Sequence, residues 1–207
     1  MSKILDKLKS AFKAICRVIV SFCIYVYCKI VYKLKIVGKE NIPKDGGLIF
    51  CGNHRTYLDP PLIVVTSSRK MRFIAKEELK SNLLFSFLIF AYDGIYVKRD
   101  SKDIGALKEA MKTLKSGGCI GIFPEGTRNG MEKNEGKFKN GAAYMSLKTG
   151  AKVVPIGIKG EAKPFHQVTI TYGKPLDFSE LLKDKSAKEL EDYVSEEIKK
   201  EILKLSN

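Results

Sequence analysis

The stretch NHRTYLD, residues 53–59, sets an imidazole and a carboxylate five positions apart in a chain with only two histidines. An apolar run, GLIFCG, precedes it, and Pro60 and Pro61 follow. Prolines cannot continue a helix from upstream but suit its first turn, so Asp59 reads as an N-cap and residues 53–58 as a strand-to-helix turn. A turn of that length can bring the His54 ring back to the Asp59 carboxylate. A carboxylate bonded to one ring nitrogen fixes the tautomer and leaves the other nitrogen as a proton acceptor. That is the base-and-orienter half of a catalytic triad. No serine adjoins the pair, and nothing marks the Thr56 hydroxyl as activated, so the nucleophile such a pair would serve is a hydroxyl of the substrate. Taken alone, the stretch fits a helix cap and a turn residue better than a catalytic pair.

Two other stretches carry chemistry. In FPEGTR, residues 123–128, Gly126 permits close backbone approach. Its amide, the Thr127 hydroxyl and the Arg128 guanidinium are donors suited to an oxyanion or a phosphate, with Glu125 placed to hold one of them. The alternative is a Pro-Gly turn with a surface ion pair. In KRD, residues 98–100, Lys98 and Arg99 follow GIYV and can clamp a phosphate; a solvated charge run is the competing reading.

The elements that must hold these residues alternate. Apolar runs of strand length (GLIFCG, MRFIA, GIYVKR, CIGIFP, KVVPIGIKG, HQVTITYG) are separated by helical stretches, PPLIVVTSS, KEELKSNLLFSFLIFAY, DIGALKEAMKTLKSGG and GKFKNGAAYMSLKTG. The C-terminal SAKELEDYVSEEIKKEILKL opens on a capping box, Ser186 with Glu189, and reads as a charged surface helix. This pattern predicts a single α/β sandwich with a largely parallel central sheet flanked by helices. In such sheets ligands bind beyond the carboxyl ends of the strands. NHRTYLD, KRD and PEGTR each follow a predicted strand, so they are expected on one rim.

Residues 1–37 form a different segment. Apolar positions recur at helical spacing from Ile4 to Val26, and Lys9, Lys13 and Arg17 make a basic stripe. Residues 1–35 hold eight cations against Asp6 alone, half of the chain's net +14. The uncharged run from Val18 to Cys28 is short of the about 20 residues a spanning helix needs. The segment reads as a basic amphipathic helix, or a helical pair, lying in one leaflet of an anionic membrane on its cytoplasmic face, peripheral or monotopic. Residues 38–207 form the remaining domain. Basic residues interleave with aliphatics and match no reading motif, which disfavours nucleic acid. Five cysteines without paired spacing read as reduced thiols, and no histidine lies in a metal-ligand cluster. Cys51 lies three residues before His54 and reads as a buried strand residue, not a nucleophile.

Together these blocks resemble the glycerolipid acyltransferases. NHRTYLD resembles the family's NHxxxxD block, GIYVKRD its second block, FPEGTR its third, and VVPIGIKG, residues 153–160, its fourth, in the same order over residues 38–173. The small size and basic N-terminus resemble most the bacterial members that acylate 1-acylglycerol-3-phosphate. The resemblance implies His54 as general base and Asp59 as its orienter. It implies Lys98, Arg99, Thr127 and Arg128 on the phosphate, and Glu125 and Gly126 within the site. It implies lysophosphatidic acid as acceptor, an acyl thioester of coenzyme A or acyl carrier protein as donor substrate, phosphatidic acid as product, and no cofactor or metal. Lys137 and Lys139 are weaker phosphate candidates and read as solvated surface. NLLFSFLIFAY, residues 82–92, reads as core packing, with an acyl-chain lining as the alternative. Two rival functions remain: transfer to another acceptor, such as glycerol-3-phosphate or another lysophospholipid, and a non-catalytic basic membrane-binding module.

Overall fold

A computed structural model describes residues 2–98, 103–126, 128, 138–161, 163–183 and 187–207. Helix α1 (Ser2–Val31) leads into an edge strand, β1 (Lys35–Val37). Then follow β2 (Leu48–Gly52), α2 (Asp59–Thr66), β3 (Met71–Lys76), α3 (Leu83–Ala91), β4 (Ile95–Val97), α4 (Ile104–Lys115) and β5 (Cys119–Ile122). The chain ends with α5 (Gly141–Thr149), β6 (Lys152–Lys159), β7 (Thr169–Tyr172) and α6 (Ala187–Ser206). Ser186, half of the expected capping box, lies outside the described residues.

One seven-stranded sheet runs β1-β7-β6-β2-β5-β3-β4. The pairs β2–β5, β2–β6, β3–β5 and β3–β4 are parallel, so these five strands end on one rim. The β6–β7 pair is antiparallel, and β1 lies parallel to β7. The expected α/β sandwich with a largely parallel sheet is the fold observed.

Alternation along the central strands divides the core in two. Ile49 and Cys51 face α4, α5 and α6, while Leu48 and Phe50 face α1 and α2. Helix α6 buries Leu190, Val194, Ile198 and Ile202, a strict spacing of four that turns one stripe inward and leaves the charges outside. Cys28, Tyr32 and Leu34 are buried in the second cluster, so the end of α1 and the residues after it are built into the body of the protein.

Three expectations change. The N-terminal segment is one continuous helix, the first of its two expected forms, but it is not too short to span: Lys7–Val31 is long and apolar enough to cross a membrane by length and composition. KEELKSNLLFSFLIFAY breaks into a 3-10 turn, Glu77–Ser81, and α3, because Asn82 turns extended and its side chain accepts the Phe85 amide. Helix α3 is also not core. Leu83 is 89% exposed, Leu84 64% and Phe87 42%, and Ala91 alone among its residues is buried.

Two cations of the basic stripe are not free for headgroups. Lys13 and Arg17 both pair with Asp93, Arg17 also donates from Nε to the Ala91 carbonyl at 2.9 Å, and Ser21 bonds the Tyr92 hydroxyl at 2.6 Å. Positions 13, 17 and 21 share one face of α1. They fasten that helix to the turn after α3.

Candidate active site

The site begins where β2 ends. Asn53 is buried and makes a two-point contact with β6: its Nδ2 donates to the Ile158 carbonyl at 2.9 Å, and its Oδ1 accepts the Ile158 amide at 2.7 Å. The side chain copies a strand backbone and fixes where the chain leaves the sheet. Arg55 reaches the Gly160 carbonyl beyond the end of β6 at 2.5 Å and pins the next residue as well. Between these two anchors stands His54.

The His54 Nδ1 lies 2.9 Å from Asp59 Oδ2. That oxygen also accepts the amides of Arg55 at 2.6 Å and Thr56 at 2.7 Å, and Oδ1 accepts the Thr56 hydroxyl at 2.9 Å. With three other donors converging on it, Asp59 acts as an acceptor throughout, so His54 donates from Nδ1 and keeps the lone pair on Nε2. The Asp59 side chain is 2% exposed, whereas that of His54 retains 19%. The imidazole therefore meets solvent while its partner does not.

The expected N-cap role of Asp59 is corrected by this geometry. Asp59 is the first residue of α2, Leu58 occupies the cap position, and no side chain caps the helix. The carboxylate turns backward into the loop because the Arg55 and Thr56 amides and the imidazole claim it.

The FPEGTR stretch follows β5, the neighbour of β2. Glu125 is 3% exposed and its Oε1 accepts the His54 backbone amide at 2.8 Å. Glu125 thus ties the two blocks together through the backbone. Gly126 has φ +65, a left-handed conformation that suits glycine, and its amide donates to the Phe123 carbonyl at 3.1 Å. That amide closes the turn after β5. Lys139, expected as solvated surface, is exposed but lies across Gly126: a Cβ there would stand 3.0 Å from its Cε and 3.2 Å from its Nζ.

Aromatic rings complete the floor. Phe123 stacks on His54 with centroids 4.3 Å apart, and Phe73 stacks on Phe123 at 5.6 Å. Arg128 lies over the Tyr57 ring, 3.8 Å from Cζ to centroid, and Tyr57 meets Phe85 of α3 at 5.3 Å. His54, Asp59 and Glu125 are therefore joined by hydrogen bonds, Gly126 adjoins Glu125 in the chain, and Arg128 lies over Tyr57 of the loop that carries His54. Lys98 follows β4, three strands from β2 in the sheet order, or about 14 Å at ordinary strand spacing. Its amide donates to Asp103 Oδ2 at 3.2 Å. Arg99, Thr127 and Lys137 lie outside the described residues.

Sequence reasoning missed Asn53, Tyr57 and Phe123. Phe123 carries a signal, since it is the first residue beyond a strand whose neighbour bears the histidine. Tyr57 carries none, because its partner Arg128 is remote in sequence. Cys51 is fully buried, and burial, with the Glu125 charge nearby, drives its thiol pKa well upward, which keeps it protonated and inert.

A mostly parallel α/β sheet carries a carboxylate-bonded imidazole at the rim where its parallel strands end. Residues 33–159 match the family described as Acyltransferase, and the chain belongs to that family. It is 36% identical over 126 residues to a 1-acyl-sn-glycerol-3-phosphate acyltransferase of Borreliella burgdorferi, covering 60% of this chain and 50% of that protein. It is 29% identical over 128 residues to the Bacillus subtilis protein of the same name, covering 61% and 63%. The crystal structure of the 1-acyl-sn-glycerophosphate acyltransferase of Thermotoga maritima superposes with a TM-score of 0.68 at 28% identity, covering 97% of this chain and 82% of that one. The aligned part spans about half the length of the first of these relatives.

Proposed function

We infer that the protein moves a fatty acyl group from an acyl thioester to the 2-hydroxyl of 1-acylglycerol-3-phosphate, making phosphatidic acid. The observation that carries this reading is the His54–Asp59 pair at 2.9 Å, tied through Glu125 to the block that bears Arg128. The names of the relatives point to the same reaction.

His54 Nε2 takes the proton of the acceptor hydroxyl as that oxygen attacks the thioester carbonyl. Asp59 holds the ring and stabilises the imidazolium. The tetrahedral intermediate collapses, the carbon–sulfur bond breaks, and the departing thiolate receives the proton from His54. No acyl-enzyme forms, in keeping with the inert Cys51 and the lack of an adjacent serine. A positioned base contributes about 10²–10⁴-fold. Arg128, with Lys98, Arg99 and Thr127, takes the phosphate, and Lys139 is close enough to Gly126 to assist. The donor is coenzyme A- or acyl-carrier-linked, and the reaction needs no cofactor.

The acceptor is a lipid, and an anionic membrane surface on the cytoplasmic side is the matching partner. The end of α1 packs into the body, and its 13–17–21 face is held on Asp93 and Tyr92. A helix held along one side in this way supports lying in one leaflet over crossing it.

Purified protein given lysophosphatidic acid with a panel of acyl-CoA and acyl-carrier donors, with products analysed by mass, tests the reaction. Phosphatidic acid is the expected product, and His54→Ala abolishes it while vesicle binding persists. Acylation of glycerol-3-phosphate instead would reassign the acceptor, and unchanged turnover in His54→Ala would remove the base.

A further inference from the structure

Helix α3 is LLFSFLIFA, nine residues without a charge. Leu83, Leu84, Phe87 and Phe90 are all exposed. A contiguous apolar patch of this kind marks a surface that something covers.

Its neighbour identifies what. Helix α1 packs beside α3 and presents Phe12, Ile15, Ile19 and Phe22 to the outside. The two helices are yoked: Lys13 and Arg17 pair with Asp93, Arg17 reaches the Ala91 carbonyl, Ser21 bonds Tyr92, and Lys13 sits 4.5 Å over the Phe90 ring. These polar contacts consume the hydrophilic side of α1 where it meets the end of α3. Beside these contacts both helices expose large apolar side chains, Phe12, Ile15, Ile19 and Phe22 on α1 and Leu83, Leu84 and Phe87 on α3. Acyl chains supply no hydrogen-bonding groups, and this surface asks for none.

We propose that α3 is a second membrane-inserted element, its Leu83–Leu84–Phe87 face entering the acyl-chain layer of the leaflet that receives α1. This rests on the membrane reading of α1 and extends it to a helix that also touches the site. Phe85 of α3 lies 5.3 Å from Tyr57, which carries Arg128. A lipid leaving the leaflet along α3 would bring its chain over this helix and its phosphate to Arg128. The helix thus sets the depth at which an acceptor enters, and the Asp93 yoke sets its angle to α1.

The chain contains no tryptophan, so a single introduced indole reports without background. Three full-length variants are compared: Leu84→Trp on α3, Phe22→Trp on α1, and Tyr193→Trp on α6, an exposed position on the opposite side of the sheet. Each is mixed with phosphatidylethanolamine–phosphatidylglycerol vesicles carrying brominated acyl chains, which quench indoles that enter the hydrocarbon. The expected result is a blue shift and quenching of Leu84→Trp within about twofold of Phe22→Trp, with Tyr193→Trp unchanged. Quenching of Phe22→Trp but not Leu84→Trp overturns the role of α3 and leaves α1 as the membrane element. Quenching of neither overturns both readings, and quenching of all three shows non-specific adsorption and overturns the α3 proposal. Should Leu84→Trp fail to fold, Phe87→Trp reads the same face.

Discussion

The Asp59 carboxylate grips His54 and the turn that carries it with one set of bonds: Oδ2 lies 2.9 Å from His54 Nδ1 and 2.6 Å from the Arg55 amide. Orientation of the ring and conformation of the loop are therefore one property. Asp59→Asn sets an NH₂ group against other donors or costs the ring its acceptor. Turnover is expected to fall about 10²–10⁴-fold, by analogy with the loss of an orienting aspartate in a triad. Stability is expected to fall by about 1–3 kcal/mol from unsatisfied buried donors. Steady-state kinetics and denaturant unfolding measure the two separately, and a variant with full activity would refute the orienting role.

If Arg128 takes the acceptor phosphate as proposed, its contact with the Tyr57 ring makes Tyr57 a positioning residue. Removing the ring in Tyr57→Ala frees the guanidinium and is expected to raise the acceptor KM about 2–30-fold, the range of a cation–π contact. Tyr57→Phe keeps the ring face and leaves KM near that of the parent. Equal effects from the two variants would mean that the hydroxyl, not the ring, matters.

A chain of contacts runs from Gly121 to the imidazole. A methyl at Gly121 would meet the Phe73 ring, with Cδ1 2.8 Å away; Phe73 stacks on Phe123, and Phe123 on His54. Gly121→Ala is expected to destabilise by about 1–3 kcal/mol through overpacking. It is also expected to lower kcat up to about 10²-fold by displacing His54, though it touches no reacting group. Pairing it with Phe73→Leu, which makes room for the methyl, restores activity if the rings transmit the push.

Asp93 gives a pH test of the yoke between α1 and α3. Burial opposes its ionisation, but the Lys13 and Lys70 ammonium groups outweigh that and hold its carboxyl below the usual aspartate value. A depressed folded-state pKa stabilises above the unfolded value of about 4 and is lost as pH falls through the folded one. The stability gap between the parent and Asp93→Asn is expected to be full at neutral pH and to close below about pH 4. Asparagine tolerates the left-handed backbone at this position, φ 54, so the comparison isolates the charge. Proteolysis within α1 should rise in the variant at neutral pH, and a gap that does not change with pH would refute the ion-pair account.

Much of this architecture follows from patterns that need no neighbours. The apolar runs of β2, β5 and β6, and the four-residue spacing of Leu190, Val194, Ile198 and Ile202, announce a sheet buried on both faces and a helix laid on it. Placing NHRTYLD and PEGTR after strands was enough to bring them to one rim, because parallel strands end on the same side. Strand β1, three residues long, has no such pattern; it exists because β7 offers an open edge.

Other features depend on where distant segments meet. Local periodicity shows that α3 is apolar but not whether anything covers it. Its exposure arises because α1 packs beside it without burying its outer face. Lys13 and Arg17 look like headgroup ligands until Asp93, remote in sequence, arrives to pair with them. Asp59 looks like a cap until the loop folds back and its own amides compete for the carboxylate. Residue identity and spacing pointed to the candidate groups and to the rim on which they gather; three-dimensional packing settled which partner each one chose, since a hydrogen bond or an ion pair answers to distance in space and not along the chain.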